Sequence, residues 1–181
     1  VISLAFCVVP PEILVMYAGI EDVDLFLGQY APLVVAAMLS ISCPSASAIS
    51  LEGRNLWVLQ SIPLSNKTFI KSKIALTLTV HAIGYMLSVA VFLIRFQFNA
   101  IWSFTLLAVP ACYSVFTAVQ GTYINCCFPR FDWDNEMVVV KQSISVILSG
   151  VIGMICIAVP VLLHWFLGIP LVRVLWGMAA I

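Results

Sequence analysis

One stretch of the sequence, residues 143–167, contains no Asp, Glu, Lys or Arg, and most of its side chains are aliphatic or aromatic. A helix that crosses the hydrocarbon core of a bilayer needs about 20 mostly apolar residues, so this stretch is long enough to cross. Across the 181 residues, 63% are hydrophobic and 9% are charged, whereas about a quarter of the residues in a soluble domain are charged. The sequence therefore predicts a polytopic membrane protein.

The spans are expected to be helices, because a backbone exposed to lipid must satisfy its own hydrogen bonds. We predict an all-α fold in which residues 1–181 form one transmembrane domain of about six helices. The chain does not begin with Met, and its first and last apolar runs look incomplete, so we expect a fragment of a longer membrane protein. The predicted spans are 1–20, 25–47, 74–94, 101–124, 143–167 and 169–181.

The loops between the spans differ in charge. The loop at 21–24 is acidic, whereas the loop at 48–73 is basic. Because cytoplasmic loops of membrane proteins carry an excess of Lys and Arg, we expect 48–73 and, by alternation, 125–142 to face the cytoplasm. The charged residues of the basic loop are Arg54, Lys67, Lys71 and Lys73 against Glu52.

The basic loop also has helical character. Its apolar residues between 51 and 62 fall on one arc of a helical wheel, which Glu52 and Asn55 interrupt, and Pro63 would end this helix. Ser65 is a plausible N-cap for a second helix that runs unbroken through the third span. On physical grounds two functions remain open for the loop, namely anchoring to anionic lipid and docking to a protein.

The order of residues in this loop resembles the cytoplasmic element of type-2 ABC exporter permeases. The shared features are an acid with a glycine, an apolar stretch, a small residue before a P-x-S element, and a lysine that opens the third span. Residues 128–136 and 140–143 are similar to a Firmicutes-type branch of ABC transporter permeases. The residues that carry the first resemblance are Glu52-Gly53-Arg54, Leu56 to Leu59, Ser61 to Ser65, and Lys73.

This resemblance implies a function. It implies a permease component of an ATP-binding-cassette exporter in a bacterial plasma membrane, with a coupling helix after the second span. It further implies that a separate ATPase subunit sits on the two cytoplasmic loops, and that a second permease domain or a second copy completes the transporter. The residues expected at the ATPase interface are Glu52, Gly53, Arg54, Leu56, Trp57, Leu59, Ile62 and Pro63.

The sequence lacks the motifs of an enzyme that acts alone. It has no G-x-x-x-x-G-K-[ST] element to cradle phosphate, no G-x-S-x-G and no H-E-x-x-H. We therefore expect no catalytic residue, no metal and no cofactor bound directly, with ATP on the partner subunit; the expected partners also include membrane lipids but no nucleic acid. The alternatives are a membrane-integral enzyme, such as an intramembrane protease or lipid transferase, and a structural membrane protein.

Three of the predicted spans carry stripes of small and polar residues at helical spacing; the stripe in 101–124 consists of Pro110, Ser114, Thr117 and Gly121. Small residues let helices approach closely in lipid, and by this reasoning Gly84 and Gly153 are expected at close helix contacts. An ionisable residue within a span can instead mark a substrate path. Both interpretations remain open for these residues, which are Thr77, His81, Gly84 and Ser88 in the third span, and Ser149, Gly153 and His164 in the fifth.

Overall fold

The computed structural model describes residues 23–61, 65–95 and 98–179, and all regular elements in these ranges are helical. The predicted first span, 1–20, lies outside the described residues. Two 3-10 helices, Pro44–Ala46 and Ser50–Asn55, follow the first α-helix. The α-helices are α1 (Val23–Ile41), α2 (Leu56–Ser61), α3 (Asn66–Arg95), α4 (Ala100–Cys127), α5 (Glu136–Gln142), α6 (Ile144–Leu167) and α7 (Leu171–Ala179).

Four stretches of the described chain are long and apolar enough to cross a membrane. They confirm the expected all-helical fold and indicate a membrane protein, although six spans were predicted. The last predicted span, 169–181, contains helix α7, of which the nine residues Leu171–Ala179 are described. The four candidate spans are Gly28–Gly53, Asn66–Arg95, Ala100–Cys127 and Glu136–Leu167.

Helix α4 is the centre of the bundle. It contacts α1, α3, α6, α7 and the first 3-10 helix. Apolar side chains of α1 fill the two main clusters of the core, one with α3 and α4 and the other with α4 and α7. The faces of α3 and α6 that point away from the core carry large exposed apolar residues, as expected for surfaces that meet lipid. Examples are Ile83, Met86, Ile147 and Val151.

The second predicted span, 25–47, is wrong as a single helix. Helix α1 ends at Ile41, and the chain continues to residue 55 through the two 3-10 helices. Pro44 explains the break, since proline has no N–H to donate and disfavours the helical conformation in the residue before it. Cys43 accordingly has φ −107° and ψ 87°. Residues 45–50 are buried all the same, so non-helical backbone is enclosed within the bundle.

A glycine on α4 makes room for this segment. A Cβ atom on Gly121 would lie 2.6 Å from Ser45 Oγ, 2.7 Å from Cys43 Sγ and 3.2 Å from the backbone nitrogen of Ala46. The Cys43 thiol donates a hydrogen bond to the carbonyl oxygen of Thr117, one turn away, at 3.2 Å. The segment after the break therefore packs directly on the backbone of α4.

The boundaries of α3 and α6 agree closely with those predicted from the sequence. Helix α3 begins at Asn66 as predicted, and the Ser65 hydroxyl accepts a hydrogen bond from the Thr68 amide at 3.3 Å. Ser143 caps α6 in the same way, accepting from the Val146 amide at 3.3 Å. The predicted loop 125–142 is shorter than expected, because α4 extends to Cys127 and α5 occupies its last residues.

A continuous helix over residues 52–62 is also wrong. Gly53 has φ +46°, outside the helical region, and separates a 3-10 helix from the six residues of α2. A positive φ is readily adopted by glycine and costs other residues energy. The predicted coupling helix is therefore reduced to α2 in the described residues.

We predict that Gly121→Ala destabilises the protein, because the added methyl group overlaps the segment after the helix break. Overpacking of this kind typically costs about 1–3 kcal/mol. Gly150→Ala is the matched control, since a Cβ there has no neighbour within 4 Å and alanine favours helix by about 1 kcal/mol. Thermal unfolding in detergent should show a lower midpoint for the first variant and an equal or higher one for the second. Equal midpoints for both variants would contradict the close approach.

Candidate functional site

The loops 48–73 and 125–142 meet at one end of the bundle, called the loop end below. Helices α3 and α4 run antiparallel, as the hydrogen bonds from His81 to Ser114 and from Tyr85 to Leu107 show. The first loop precedes α3 and the second follows α4, so both lie at the same end. Hydrogen bonds between positions 75 to 83 residues apart join them directly.

Asn125, near the end of α4, is the centre of these contacts, and its side chain is fully buried. Its Oδ1 atom accepts hydrogen bonds from the backbone amides of Ile49 at 2.8 Å and Ser50 at 3.1 Å. Its Nδ2 atom donates to the hydroxyls of Ser50 at 2.8 Å and Ser145 at 3.0 Å. The carboxamide thus uses two acceptor and two donor positions, its full capacity.

Ser50 extends the contacts to the second loop. Its hydroxyl accepts from the backbone amide of Arg130 at 3.0 Å, and its carbonyl oxygen accepts from Trp133 Nε1 at 2.8 Å. Ser145, on α6, is joined to the capping residue Ser143 at 3.1 Å. We call this set the Asn125 network; it consists of Ser50, Asn125, the Arg130 amide, Trp133, Ser143 and Ser145.

Trp133 also lies against Gly53. A Cβ atom on Gly53 would be 2.8 Å from Trp133 Cζ2, so a side chain is excluded by the indole ring as well as by the positive φ. Gly53 belongs to the first stretch that resembles exporter permeases, and Trp133 to the second. The two stretches are therefore in contact.

Glu52 forms an ion pair with Lys73 in the second turn of α3. The sequence predicted Glu52 within one helix over residues 52–62. In the structure Gly53 separates Glu52 from α2, and the Glu52 carboxylate contacts α3 instead. The Lys73 ammonium also lies 5.3 Å from the centre of the Phe69 ring. The acid and the lysine of the first motif thus bind each other.

The remaining residues predicted at the interface lie on or beside α2. The Trp57 side chain is 69% exposed, and its neighbour Val58 is also exposed. Phe128 and Phe131, which follow α4 in the second loop, are also exposed. The side chains of Arg54, Leu56 and Leu59, and the residues Ile62 and Pro63, lie outside the described part of the structure.

The stripe on α3 faces the interior of the bundle. Thr77, His81 and Ser88 are buried. His81 Nε2 lies 2.6 Å from the carbonyl oxygen of Ser42, and its Nδ1 lies 3.1 Å from the Ser114 hydroxyl. A carbonyl only accepts, so Nε2 carries the proton. His81 therefore binds the carbonyl oxygen of Ser42, the first residue after α1.

The two glycines predicted at close helix contacts differ in how closely their neighbours approach them. A Cβ on Gly153 would lie 3.2 Å from Ser40 Cβ, which is a tight approach of α6 to α1, whereas one on Gly84 would meet its nearest neighbour at 3.9 Å. Ser149, on the same face of α6, accepts at its carbonyl from Gln120 Nε2 at 3.3 Å. His164 lies at the opposite end, where its Nδ1 is 2.7 Å from the carbonyl oxygen of Ile169.

No family model, curated protein or solved structure matches this chain. Within residues 23–61, 65–95 and 98–179, no group of three or more His, Cys, Asp or Glu side chains is placed to hold a metal ion. The main features that the sequence did not reveal are Asn125 and Ser50. A carboxamide at the end of an apolar run was the available signal, because a polar group at that depth needs partners.

We predict that Asn125→Ala destabilises the protein strongly. It leaves the amides of Ile49 and Ser50 buried without an acceptor, and each unsatisfied group costs about 1–3 kcal/mol. Asn99→Ala is the matched control, because Asn99 is exposed at the start of α4 and its side chain makes no capping hydrogen bond. Thermal unfolding in detergent should show a clear fall for the first variant only. Similar midpoints would mean that the Asn125 network contributes little.

Proposed function

We propose that this chain is the membrane-spanning permease component of an ATP-binding-cassette exporter. In this role it couples ATP hydrolysis by a separate subunit to movement of a substrate across a bacterial plasma membrane. The observation that carries the proposal is the contact between Gly53 and Trp133. It brings together the two stretches that resemble exporter permeases, although they are far apart in the sequence.

The distribution of charge supports a cytoplasmic position for the loop end. Six of the eight basic residues belong to it, and only Arg95 and Arg173 do not. The positive-inside rule then assigns this end to the cytoplasm, where ATP is available. The six residues are Arg54, Lys67, Lys71, Lys73, Arg130 and Lys141.

The loop end offers a surface for the ATPase subunit. Trp57, Phe128 and Phe131 present exposed aromatic side chains there, and aromatic residues commonly anchor protein interfaces. The Asn125 network binds the backbone at Ser50 in the first loop and at Arg130 in the second. The proposed docking surface therefore combines α2 with the second loop and is broader than a single coupling helix.

The same contacts connect this surface to three membrane helices. Glu52 binds α3 through Lys73, Asn125 belongs to α4, and Ser145 belongs to α6. A displacement of the docking surface by the ATPase would act on all three helices together. A second permease domain or a second copy of this chain would complete the translocation path between two such bundles.

We predict that Trp57→Ala weakens binding of the ATPase subunit without changing the stability of the bundle. Loss of an anchor residue often costs about 2 kcal/mol, which corresponds to about thirtyfold in affinity. The tagged chain would be purified from its native membranes in mild detergent, and a co-purified polypeptide with a G-x-x-x-x-G-K-[ST] motif would be assayed for ATP hydrolysis. The matched control is Trp165→Ala, an equally exposed tryptophan on α6.

In this experiment the wild-type chain and Trp165→Ala should retain the ATPase, and Trp57→Ala should lose most of it. Trp57→Ala should nevertheless unfold at the wild-type temperature, because its side chain is exposed. Absence of any co-purified ATPase from the wild type would contradict the proposed function. Retention by Trp57→Ala at the wild-type level would contradict the docking surface alone.

A further inference from the structure

A cleft of about 490 Å³ lies at the loop end, below the point where α1 stops. The residues that line it belong to the segment that follows Ile41, to the start of α3, and to α5 and α6. The break in α1 creates this space, since a continuing helix would occupy it. The volume falls within the range of about 300–1,000 Å³ typical of sites for small molecules.

The lining of the cleft combines apolar side chains with the Glu52–Lys73 ion pair and with the hydroxyl residues Ser42 and Ser47. Leu76 lies one turn deeper in the bundle than Lys73, and Val146 lies in the first turn of α6. The Glu52–Lys73 ion pair stands at the end nearer the loops, where its two side chains are 26% and 17% exposed. The larger aliphatic residues of the lining are Ile41, Leu51, Leu76, Val140 and Val146.

The cleft opens towards lipid. Ile41 and Leu76 both line it, and their side chains are 71% and 54% exposed. Both residues lie within stretches apolar enough to cross a membrane. Exposed apolar side chains on such stretches are suited to contact with acyl chains, which would let a molecule from the bilayer enter from the side.

We propose that this cleft binds one phospholipid, with an acyl chain along Ile41, Leu76 and Val146 and the phosphate at Lys73. An ammonium group has three donors, and the ion pair with Glu52 uses one of them. Lys73 can therefore hold Glu52 and a phosphate oxygen at the same time. The proposal does not depend on the function proposed above, because it uses only the cleft and the remaining N–H donors of Lys73, whose charge Glu52 balances.

The ammonium group of Lys73 distinguishes this site from the general lipid-facing surface. Any exposed apolar face of α3 or α6 meets acyl chains, but the cleft places a partly buried ammonium next to an open groove with several apolar side chains. Charge-assisted hydrogen bonds to phosphate are stronger than neutral ones. We therefore expect one phospholipid to be held more tightly than the rest and to depend on its phosphate.

Native mass spectrometry of the whole chain in detergent tests the proposal. The probes are palmitoyl-oleoyl phosphatidylglycerol and dioleoylglycerol, which has acyl chains but no phosphate. Leu76→Trp fills the cleft and is compared with Ile83→Trp, a similar change on the exposed face of α3. Lys73→Gln removes the ammonium and is compared with Lys71→Gln, an exposed lysine on the same helix.

The wild type and both controls should retain one phosphatidylglycerol. Leu76→Trp should weaken its binding by about tenfold or more, and Lys73→Gln should weaken it while leaving dioleoylglycerol binding unchanged. Equal lipid retention by Leu76→Trp and the wild type, or no retained lipid at all, would overturn the site. An effect of Leu76→Trp without any effect of Lys73→Gln would overturn the assignment of the phosphate to Lys73.

Discussion

The hydrogen bonds from Asn125 to the backbone of residues 49 and 50 make the rest of the loop end possible. A peptide group without a partner inside a bundle or membrane costs several kcal/mol, so non-helical chain is excluded there unless side chains replace the helical bonds. Asn125 supplies the acceptor for two amides, and His81 binds the carbonyl oxygen of Ser42 at the break. With these bonds formed, α1 can stop before the end of the bundle.

One face of α4 is shaped for this segment. Ser114, Thr117, Gly121 and Asn125 follow one another at helical spacings of three and four residues. A stripe of small and polar residues usually indicates a close helix–helix contact, but here it receives the chain on both sides of Pro44. The two consequences are a fixed platform at the loop end and a cleft beneath α1. The proposed docking surface and the proposed lipid-binding cleft thus both depend on the break that ends α1.

The parts of the fold that depend on local sequence could be predicted. The length of α3, its cap at Ser65 and the extent of α6 follow from apolar runs and capping residues, because helices form from nearby interactions. The end of α1 could not, since a proline within a membrane span more often kinks the helix than ends it. The hydrogen bonds of Asn125 and Trp133 with residues 49 and 50 join positions at least 75 apart, and periodicity within one helix carries no information about such pairs.

Hydrogen–deuterium exchange of the purified chain tests the central claim most directly, because it reports the hydrogen bonds of each backbone amide. The account predicts that the amides of Ile49 and Ser50 exchange as slowly as those in the middle of α4, although they lie outside any α-helix, at the start of the second 3-10 helix. It also predicts that amides at the exposed start of α3, around Lys67, exchange much faster. Rapid exchange at Ile49 and Ser50, comparable to that around Lys67, would contradict a segment buried and held by Asn125.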